Sequence, residues 1–229
     1  EEARGLRQKA DDESKALHAR LLDQAYQQNA SLYGTRELDC LCESITDGDH
    51  QSPPFQDEGV KFIFVGNVSS GYLHFNGSKR VAAEYFASIR PSRKPRRGDV
   101  LYSAVGATLG IPAVVDSDDQ FCFQRHVALL RPDPRNLLAK YLWYMLRSGI
   151  VTAAAWARTT GSAQPTIPLR SIRVLEIPAP PVQEQATIVA ELDNLQARLN
   201  EMNQRQQQTI AELDALLPSI LDRAFKGEL

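Results

Sequence analysis

Two cysteines near the start of the chain have a spacing that could bind a metal ion. Cys40 and Cys42 are separated by one residue, and His50 follows shortly after them. A structural zinc site needs four ligands, commonly as two closely spaced pairs. Only Cys122 and three scattered histidines remain to supply a second pair. We therefore predict no metal site and expect buried or half-buried thiols.

A second stretch, Ser52-Pro-Pro-Phe55, resembles the catalytic motif of DNA amino-methyltransferases. In that motif a polar side chain and a backbone carbonyl hold the amino group of a flipped base. Such an enzyme also needs a Gly-rich turn between a strand and a helix, in a Rossmann-like sheet, to bind its cofactor. The nearby turn Val65–Gly71 is followed by another strand-like run. We predict that Ser52–Phe55 is a stiff polar turn without catalytic function.

Other catalytic patterns are weaker. Asp57-Glu58-x-x-Lys61 partly matches a metal-dependent nuclease, but the acid-x-Lys partner strand is missing. The histidines lie far apart, and the sequence has neither a G-x-S-x-G turn nor a Walker loop. His126, in a strand-like run, is either structural or a phosphate or base contact. The sequence predicts that this chain is not an enzyme.

The distribution of charge indicates a polyanion as partner. The net charge is only −2, but residues 120–173 contain eight Arg or Lys side chains and a single acid, Asp133. The run Arg90–Arg97 (RPSRKPRR) precedes this region, whereas both flanking regions are acidic. A basic middle between acidic ends is typical of a nucleic-acid-binding module with protein-binding flanks. A solvated basic loop that binds nothing is the alternative.

Composition sets broad limits on the protein class. The chain has 229 residues, 43% of them hydrophobic, which fits a globular protein of one or two domains. No run reaches 18 apolar residues, so we expect no membrane span. The charged start lacks Met and an apolar segment, which indicates a fragment or processed start rather than a signal peptide. Three cysteines fit a reducing cytoplasm, which is the predicted location.

The elements that must position the candidate residues fall into three predicted regions: a helix at 1–30, a strand-rich domain at 31–180 and a long helix at 181–229. Strand-like runs separated by Gly, Asn and Asp turns fill the middle region. Asn76-Gly77 favours a type I′ hairpin. The predicted strands are Val60–Val65, Tyr72–Phe75, Val100–Val105, Ile111–Val115, Phe121–Leu130 and Ile172–Ile177. Helices are predicted from Asp133-Pro134, with Asp133 as N-cap, and over Ile150–Arg158.

The C-terminal region has an apolar seam with alternating spacings of four and three residues, interrupted by polar Gln206 and Thr209. This pattern predicts a helix of roughly 50 Å that packs lengthwise against another helix. Pro218 should kink or end that helix locally. A plain dimerisation coil would show the same pattern. The seam residues are Ile188, Leu192, Leu195, Leu199, Met202, Leu213, Leu216 and Ile220.

Three blocks together resemble the specificity subunit of type I restriction-modification systems. They are Gln164–Gln185 (QPTIPLRSIRVLEIPAPPVQEQ), the long heptad helix after it, and the closing AFKGEL. Gly98–Gly110 (GDVLYSAVGATLG) fits the target-recognition domain of the same family. The resemblance covers about residues 36–229. It implies an α/β (α+β) fold, with a mixed β-rich target-recognition domain and a long coiled-coil-like spacer helix.

The resemblance also implies a division of labour. Each target-recognition domain of this family reads one half of a split sequence in double-stranded DNA. The long helices act as spacers and dock the methyltransferase subunits, which hold S-adenosylmethionine and carry the catalytic motif. Restriction subunits are possible further partners. The resemblance therefore implies no cofactor on this chain and agrees with a non-catalytic Ser52–Phe55.

This chain departs from the family pattern because it has one recognition region and one long C-terminal helix, where a complete subunit has two of each. Three arrangements stay open: half of a longer subunit, a natural half-subunit that forms a homodimer through its spacer helices, or a module fused to another enzyme. Two other functions also stay open. These are a fragment of an intact DNA amino-methyltransferase and a coiled-coil scaffold without DNA binding.

The DNA-binding candidates fall into two chemical groups. Cations are expected to contact phosphates, while forked, amide or hydroxyl side chains on loops are expected to contact base edges. The predicted phosphate contacts are Arg90, Arg93, Lys94, Arg96, Arg97 and Arg125. The predicted base-reading candidates are His50, Gln51, Lys61, Asn67, Ser103, Thr108, Arg158, Thr160, Ser162 and Gln164, and Arg80 is a further DNA-binding candidate.

Overall fold

The computed structural model describes residues 2–49, 52–161 and 163–226. Nine strands alternate irregularly with seven α-helices in this part of the chain, and two 3₁₀ turns lie at Val65–Asn67 and Pro91–Arg93. In chain order the elements are α1 (Glu2–Tyr33), β1 (Thr35–Glu37), α2 (Leu38–Leu41), β2 (Cys42–Asp47), β3 (Val60–Ile63), β4 (Lys79–Val81), α3 (Ala83–Ser88), β5 (Val100–Ser103), β6 (Pro112–Val114), β7 (Phe121–Phe123), β8 (Val127–Pro132), α4 (Ala139–Leu146), α5 (Gly149–Trp156), α6 (Leu169–Arg173), β9 (Glu176–Pro178) and α7 (Val182–Phe225).

The chain divides into two units, one made of residues 1–21 and 190–229 and the other of residues 22–189. The first unit contains the outer parts of the two long helices, α1 and α7. Leu192 and Leu199 are buried in it, because the predicted seam gives α7 an apolar stripe that leaves water. Met202, by contrast, is 55% exposed. None of the described helices is both long and apolar enough to span a bilayer.

The remaining seam positions are distributed as follows. Leu195 is half-buried in the first unit, and Ile188 is half-buried in the second. The side chains of Leu213, Leu216 and Ile220 lie outside the described part of the structure. The helix continues through Pro218 to Phe225, so the predicted end at this proline is wrong. Pairing of the seam with a helix of another chain stays a prediction.

Three small sheets build the second unit. Four antiparallel strands form the main sheet in the order β2-β8-β5-β6, and β4-β3-β7 form a mixed sheet in which β3 and β7 are parallel. Strands β1 and β9 form an antiparallel pair. All residues of β5, β7 and β8 are buried, as expected from their apolar and aromatic composition. The mixed α and β architecture agrees with the predicted fold class.

Several predicted strands differ from the structure because side chains and turns bind the backbone. The run Phe121–Leu130 is two strands in different sheets, separated by a turn in which Val127 N–H donates to the Gln124 carbonyl. Tyr72–Phe75 is a loop, held by the Asn67 amide, which donates to the carbonyls of residues 74 and 76. The predicted strand Ile172–Ile177 is the end of α6 followed by β9.

Local turn chemistry corrects two further predictions. Asn76-Gly77 is a turn, but Asn76 does not have the positive φ of a type I′ turn, whereas Gly77 has φ 72°. Asp133 does cap a turn, through a bond from Arg135 N–H to its carboxylate. Helix α4 begins only at Ala139, because Gln185 accepts the Leu138 N–H and serves as a distant cap.

The sequence gave no warning of five short elements: β1, α2, β2, β4 and α3. Strand β2 is the most consequential, because it pairs with β8 along its whole length and leads to the candidate site. Its residues, CESITD, lack the continuous apolar run of a buried strand, since only Ile45 is fully buried.

Candidate nucleic-acid interface

Three loops converge at one end of the four-stranded sheet: residues 104–111 after β5, the turn 124–126 between β7 and β8, and residues 159–168 before α6. Backbone hydrogen bonds join them, since Ala104 N–H donates to the His126 carbonyl and Ile167 N–H donates to the Ala104 carbonyl, both at 2.9 Å. Gly106 N–H donates to the Pro165 carbonyl at 2.8 Å. We call the cavity of about 260 Å³ between them the three-loop cleft. Its polar lining residues are Asp47, Arg125, His126, Gln164 and Thr166.

Glycines shape the loops of the cleft. Gly106 and Gly161 have φ of 84° and 85°, a conformation that glycine adopts without strain. Gly48 serves a different purpose, because a β-carbon there would lie 2.0 Å from the Phe123 carbonyl oxygen. Glycine therefore lets the end of β2 pass directly against β7. This close approach places Asp47 at the cleft.

Arg125 and His126 give the cleft its charge and hydrogen-bonding character. The backbone N–H of Arg125 donates to the Asp49 carbonyl, which fixes the turn, while its guanidinium is exposed and forms no ion pair with any described residue. His126 Nδ1 lies 3.1 Å from Gln124 Nε2. Burial, and secondarily the charge of Arg125, lower the pKa of His126. The histidine is therefore neutral near pH 7 and can exchange hydrogen bonds with a ligand.

The basic run 90–97 is largely neutralised by acids. Arg93 pairs with Asp47 at 3.0 Å, Arg96 with Glu43 at 2.7 Å, and Arg97 forms two hydrogen bonds to Asp118 at 2.8 and 2.9 Å. Lys94 donates to the Ala87 carbonyl and lies over the Phe86 ring, whereas Arg90 is exposed. Thus most of these predicted phosphate contacts already have partners within the protein.

A buried ion pair holds this basic run against the main sheet. Asp99 is 1% exposed, and Arg131 on β8 donates to both of its carboxylate oxygens, at 2.9 and 2.8 Å. Arg96 N–H also donates to Asp99, and the Arg131 guanidinium donates to the Lys94 carbonyl. The pair was not predicted, because Gly98-Asp99 has the composition of an ordinary surface turn and Arg131 was counted only as part of a basic region.

Several predicted base-reading residues have structural roles. Asn67 is 4% exposed, and its amide binds backbone groups of Phe64, His74 and Asn76, so no part of it is left to reach a base. Ser103 is fully buried, with its hydroxyl 3.3 Å from that of Thr108. These two predicted base contacts are corrected by burial.

The other predicted DNA-binding residues are dispersed. Lys61 pairs with Asp119 at 2.7 Å. Arg80 and Arg158 are exposed and donate to the carbonyls of Gly59 and Ala154, respectively. Thr160 and Thr166 exchange backbone hydrogen bonds and close a short loop that carries Gln164 to the cleft. His50, Gln51 and Ser162 lie outside the described residues.

The structure thus brings Arg125, Gln164 and Thr160 together and adds Asp47, which was not predicted. His126 was singled out in the sequence only as a general possibility. The Asp47-Gly48 dipeptide carries a signal for Asp47, because glycine next to a polar residue marks a close backbone approach at a strand end.

Neither of the stretches with possible chemistry has the surroundings that its chemistry needs. Phe55 packs edge-on against Phe62 with ring centroids 5.4 Å apart, and Pro53 is buried, so Ser52–Phe55 contributes to the core. Burial, with Asp39 nearby, raises the pKa of the Cys42 thiol to about 12, which disfavours a thiolate ligand. Cys40 is exposed, contrary to prediction. The described residues contain no cluster of three or more His, Cys, Asp or Glu side chains suited to a metal.

Comparison with known families decides the identity of the fold. The pattern of the type I restriction modification DNA specificity domain matches residues 60–212. The chain belongs to this family. Over 172 residues it is 26% identical to the EcoBI specificity subunit of Escherichia coli, covering 75% of this chain and 36% of that protein. Over 110 residues it is 31% identical to the StySPI specificity subunit of Salmonella potsdam, covering 47% of this chain and 23% of that protein.

Solved structures of specificity subunits share the fold. The HsdS subunit from Thermoanaerobacter tengcongensis is 30% identical with a TM-score of 0.63. A chain from a structure that describes complex assembly and conformational transition of the type I R-M system is 27% identical with a TM-score of 0.72. All of this chain matches in both cases and covers 55% of each neighbour. The chain therefore spans about half the length of these specificity subunits, and less than half of the two curated relatives.

Proposed function

We propose that this chain is a non-catalytic DNA-specificity module that recognises one half of a bipartite target in double-stranded DNA. The observation that carries the proposal is the unpaired guanidinium of Arg125 beside Gln164 and Thr166 in the three-loop cleft. Arginine donates two hydrogen bonds to guanine in the major groove, and glutamine does the same with adenine. The cleft therefore combines the side chains that distinguish bases with a backbone that holds them rigidly.

The two long helices support a spacer and docking function. Helix α7 has 44 residues, of which those after Val189 belong to the first unit together with residues 1–21. We propose that this helical unit docks methyltransferase subunits, and in a full complex restriction subunits as well. S-adenosylmethionine is then expected on the methyltransferase subunit. This assignment places the methyl transfer outside this chain and the complex in the cytoplasm.

The length of the chain suggests how a complete target is recognised. It covers 55% of the related specificity subunits, so a second recognition region must come from elsewhere. We propose that it is either another part of a longer subunit or a second copy that pairs through the spacer helices. In both cases the distance between the half-sites is set by the helices and the half-site sequence by the cleft.

The test replaces Arg125 by Gln, which keeps a hydrogen-bonding side chain but removes the charge. The full chain is co-expressed with its methyltransferase subunit, and methylated sites are mapped across the host genome. We expect the unaltered chain to give one defined bipartite motif. Arg125→Gln should relax one base position of it or lower methylation at all sites, because a bidentate contact contributes about 1–3 kcal/mol to discrimination.

Arg97→Gln is the matched control, because it removes the same charge from an exposed arginine that is already paired with Asp118. The control should leave the motif unchanged. If Arg125→Gln and Arg97→Gln give identical motifs and methylation levels, the cleft is not where the sequence is read. If the unaltered chain directs no sequence-specific methylation, the proposed function itself is wrong.

A further inference from the structure

A second cationic site lies outside the three-loop cleft, on the aromatic cluster around Trp143. Trp143 is 2% exposed, and its indole N–H donates to the Gly71 carbonyl at 3.0 Å. The Arg147 guanidinium lies over the Trp143 ring, 4.1 Å from its centroid. The Tyr72 ring is tilted against the same indole at 5.8 Å and is 58% exposed. We call these three side chains the Trp143 platform.

Arg147 is an unusual cation for a protein surface. It is half-buried, and its Nη1 atom has no hydrogen-bond partner among the described residues. No described carboxylate forms an ion pair with it, whereas the four-residue run before it contributes only aromatic and apolar neighbours. Burial lowers the pKa of Arg147, and the groups that act in the opposite direction are Tyr72 and Tyr144 rather than an acid.

A desolvated guanidinium without an acid is costly, because burial removes hydration that no counter-charge replaces. Stacking on Trp143 offsets part of that cost. It also holds the guanidinium in one orientation, beside the phenol of Tyr72. An anion that entered here would gain more than at a fully hydrated arginine, since partial burial strengthens the electrostatic attraction. The platform is therefore suited to an anionic group that comes from outside the chain.

The position of the platform relates it to the three-loop cleft. A β-carbon on Gly71 would lie 4.0 Å from the carbonyl oxygen of Pro112, the first residue of β6. Pro112 pairs with Tyr102 on β5, one residue before the strand ends at Ser103 and the first loop of the cleft begins. Neighbouring strands are about 4.8 Å apart, so both sites border the same end of the main sheet. A duplex with a major groove about 12 Å wide can reach both.

We infer that Arg147 and Tyr72 bind a backbone phosphate of the DNA whose bases lie at the three-loop cleft. The inference rests on the proposed function and deepens it, because it adds a contact that fixes the register of the duplex without reading its sequence. The phosphate would accept hydrogen bonds from the guanidinium and from the Tyr72 hydroxyl. Trp143 is then a positioning residue, which acts by holding Arg147.

The experiment measures the affinity of the full chain for duplex DNA over a range of salt concentrations. Arg147→Gln should lower the slope of log affinity against log salt by about 0.9, and the affinity about tenfold near 0.1 M salt, because one phosphate contact is lost. Arg147→Lys keeps the charge and should retain most of the slope. Arg198→Gln removes one charge from an exposed position on α7 and is the charge-matched control.

Duplexes with a single uncharged methylphosphonate, placed in turn at each phosphate, identify the contact. One position should weaken binding of the unaltered chain but have no further effect on Arg147→Gln. If the effects of every position and of the substitution simply add, or if Arg147→Gln behaves as Arg198→Gln does, the phosphate contact is refuted. Loss of methyltransferase co-elution with an unchanged salt slope would also refute it and indicate a protein contact. If the unaltered chain binds no DNA, the proposed function falls first.

Discussion

The basic run 90–97 and the turn at Arg125 have the same kind of side chain but opposite surroundings. In the basic run, Arg93, Arg96 and Arg97 each pair with an acid that is distant in sequence. At the turn, Arg125 projects into a cleft without an ion pair to any described residue. A cation that already has a partner gains little from a phosphate, because the new contact must replace an existing one. Clustering of charge in a sequence therefore does not identify the charges that are available to DNA.

The comparison also separates two uses of an ion pair. Exposed pairs such as Arg97 with Asp118 contribute little to stability, because water and salt screen them. The pair of Arg131 with Asp99 is buried and has further hydrogen bonds to the backbone of residues 94 and 96. This buried pair determines where the basic run lies on the sheet. The run is thus a structural segment first, whatever else it contacts.

The largest effect is expected from Asp99→Asn. Removal of the charge leaves Arg131 buried without a counter-ion, which should lower the free energy of unfolding by about 3–5 kcal/mol. Urea unfolding monitored by circular dichroism measures the change, with Asp118→Asn as a matched control at an exposed pair. The control should lose at most about 1 kcal/mol. Equal losses in the two variants would contradict the distinction between buried and exposed pairs.

The sequence predicted those features of the fold that depend on local patterns. The strands with continuous apolar residues, β3, β5 and β6, were found, as were the long helices, because apolar periodicity decides both. Strands β1, β2 and β4 were missed because their residues are half-exposed or polar and pairing with distant strands stabilises them. The start of α4 was misplaced because its cap, Gln185, lies far along the chain.

The candidate site was predictable to a smaller extent. The Gly-rich segment ending at Gly110 and the polar loop with Gln164 were correctly placed as loops, since their turn residues mark them. That these loops meet at the turn carrying Arg125 follows from the order of strands in the main sheet, which no local pattern specifies. The same limit explains Asn67, a polar loop residue that backbone hydrogen bonds draw into the interior.

The smallest effect, and the most direct test of the comparison, is expected when whole ion pairs are removed. The double variant Arg97→Gln with Asp118→Asn deletes a pair without changing the net charge, so long-range attraction to DNA stays the same. If the basic run is satisfied within the protein, the salt slope of DNA binding should equal that of the unaltered chain, and stability should fall by no more than about 1 kcal/mol. Arg96→Gln with Glu43→Gln is a second pair of the same kind. A slope lowered by about 0.9 in either double variant would show that the arginine leaves its acid to contact a phosphate, and the two regions would then differ less than their free structures suggest.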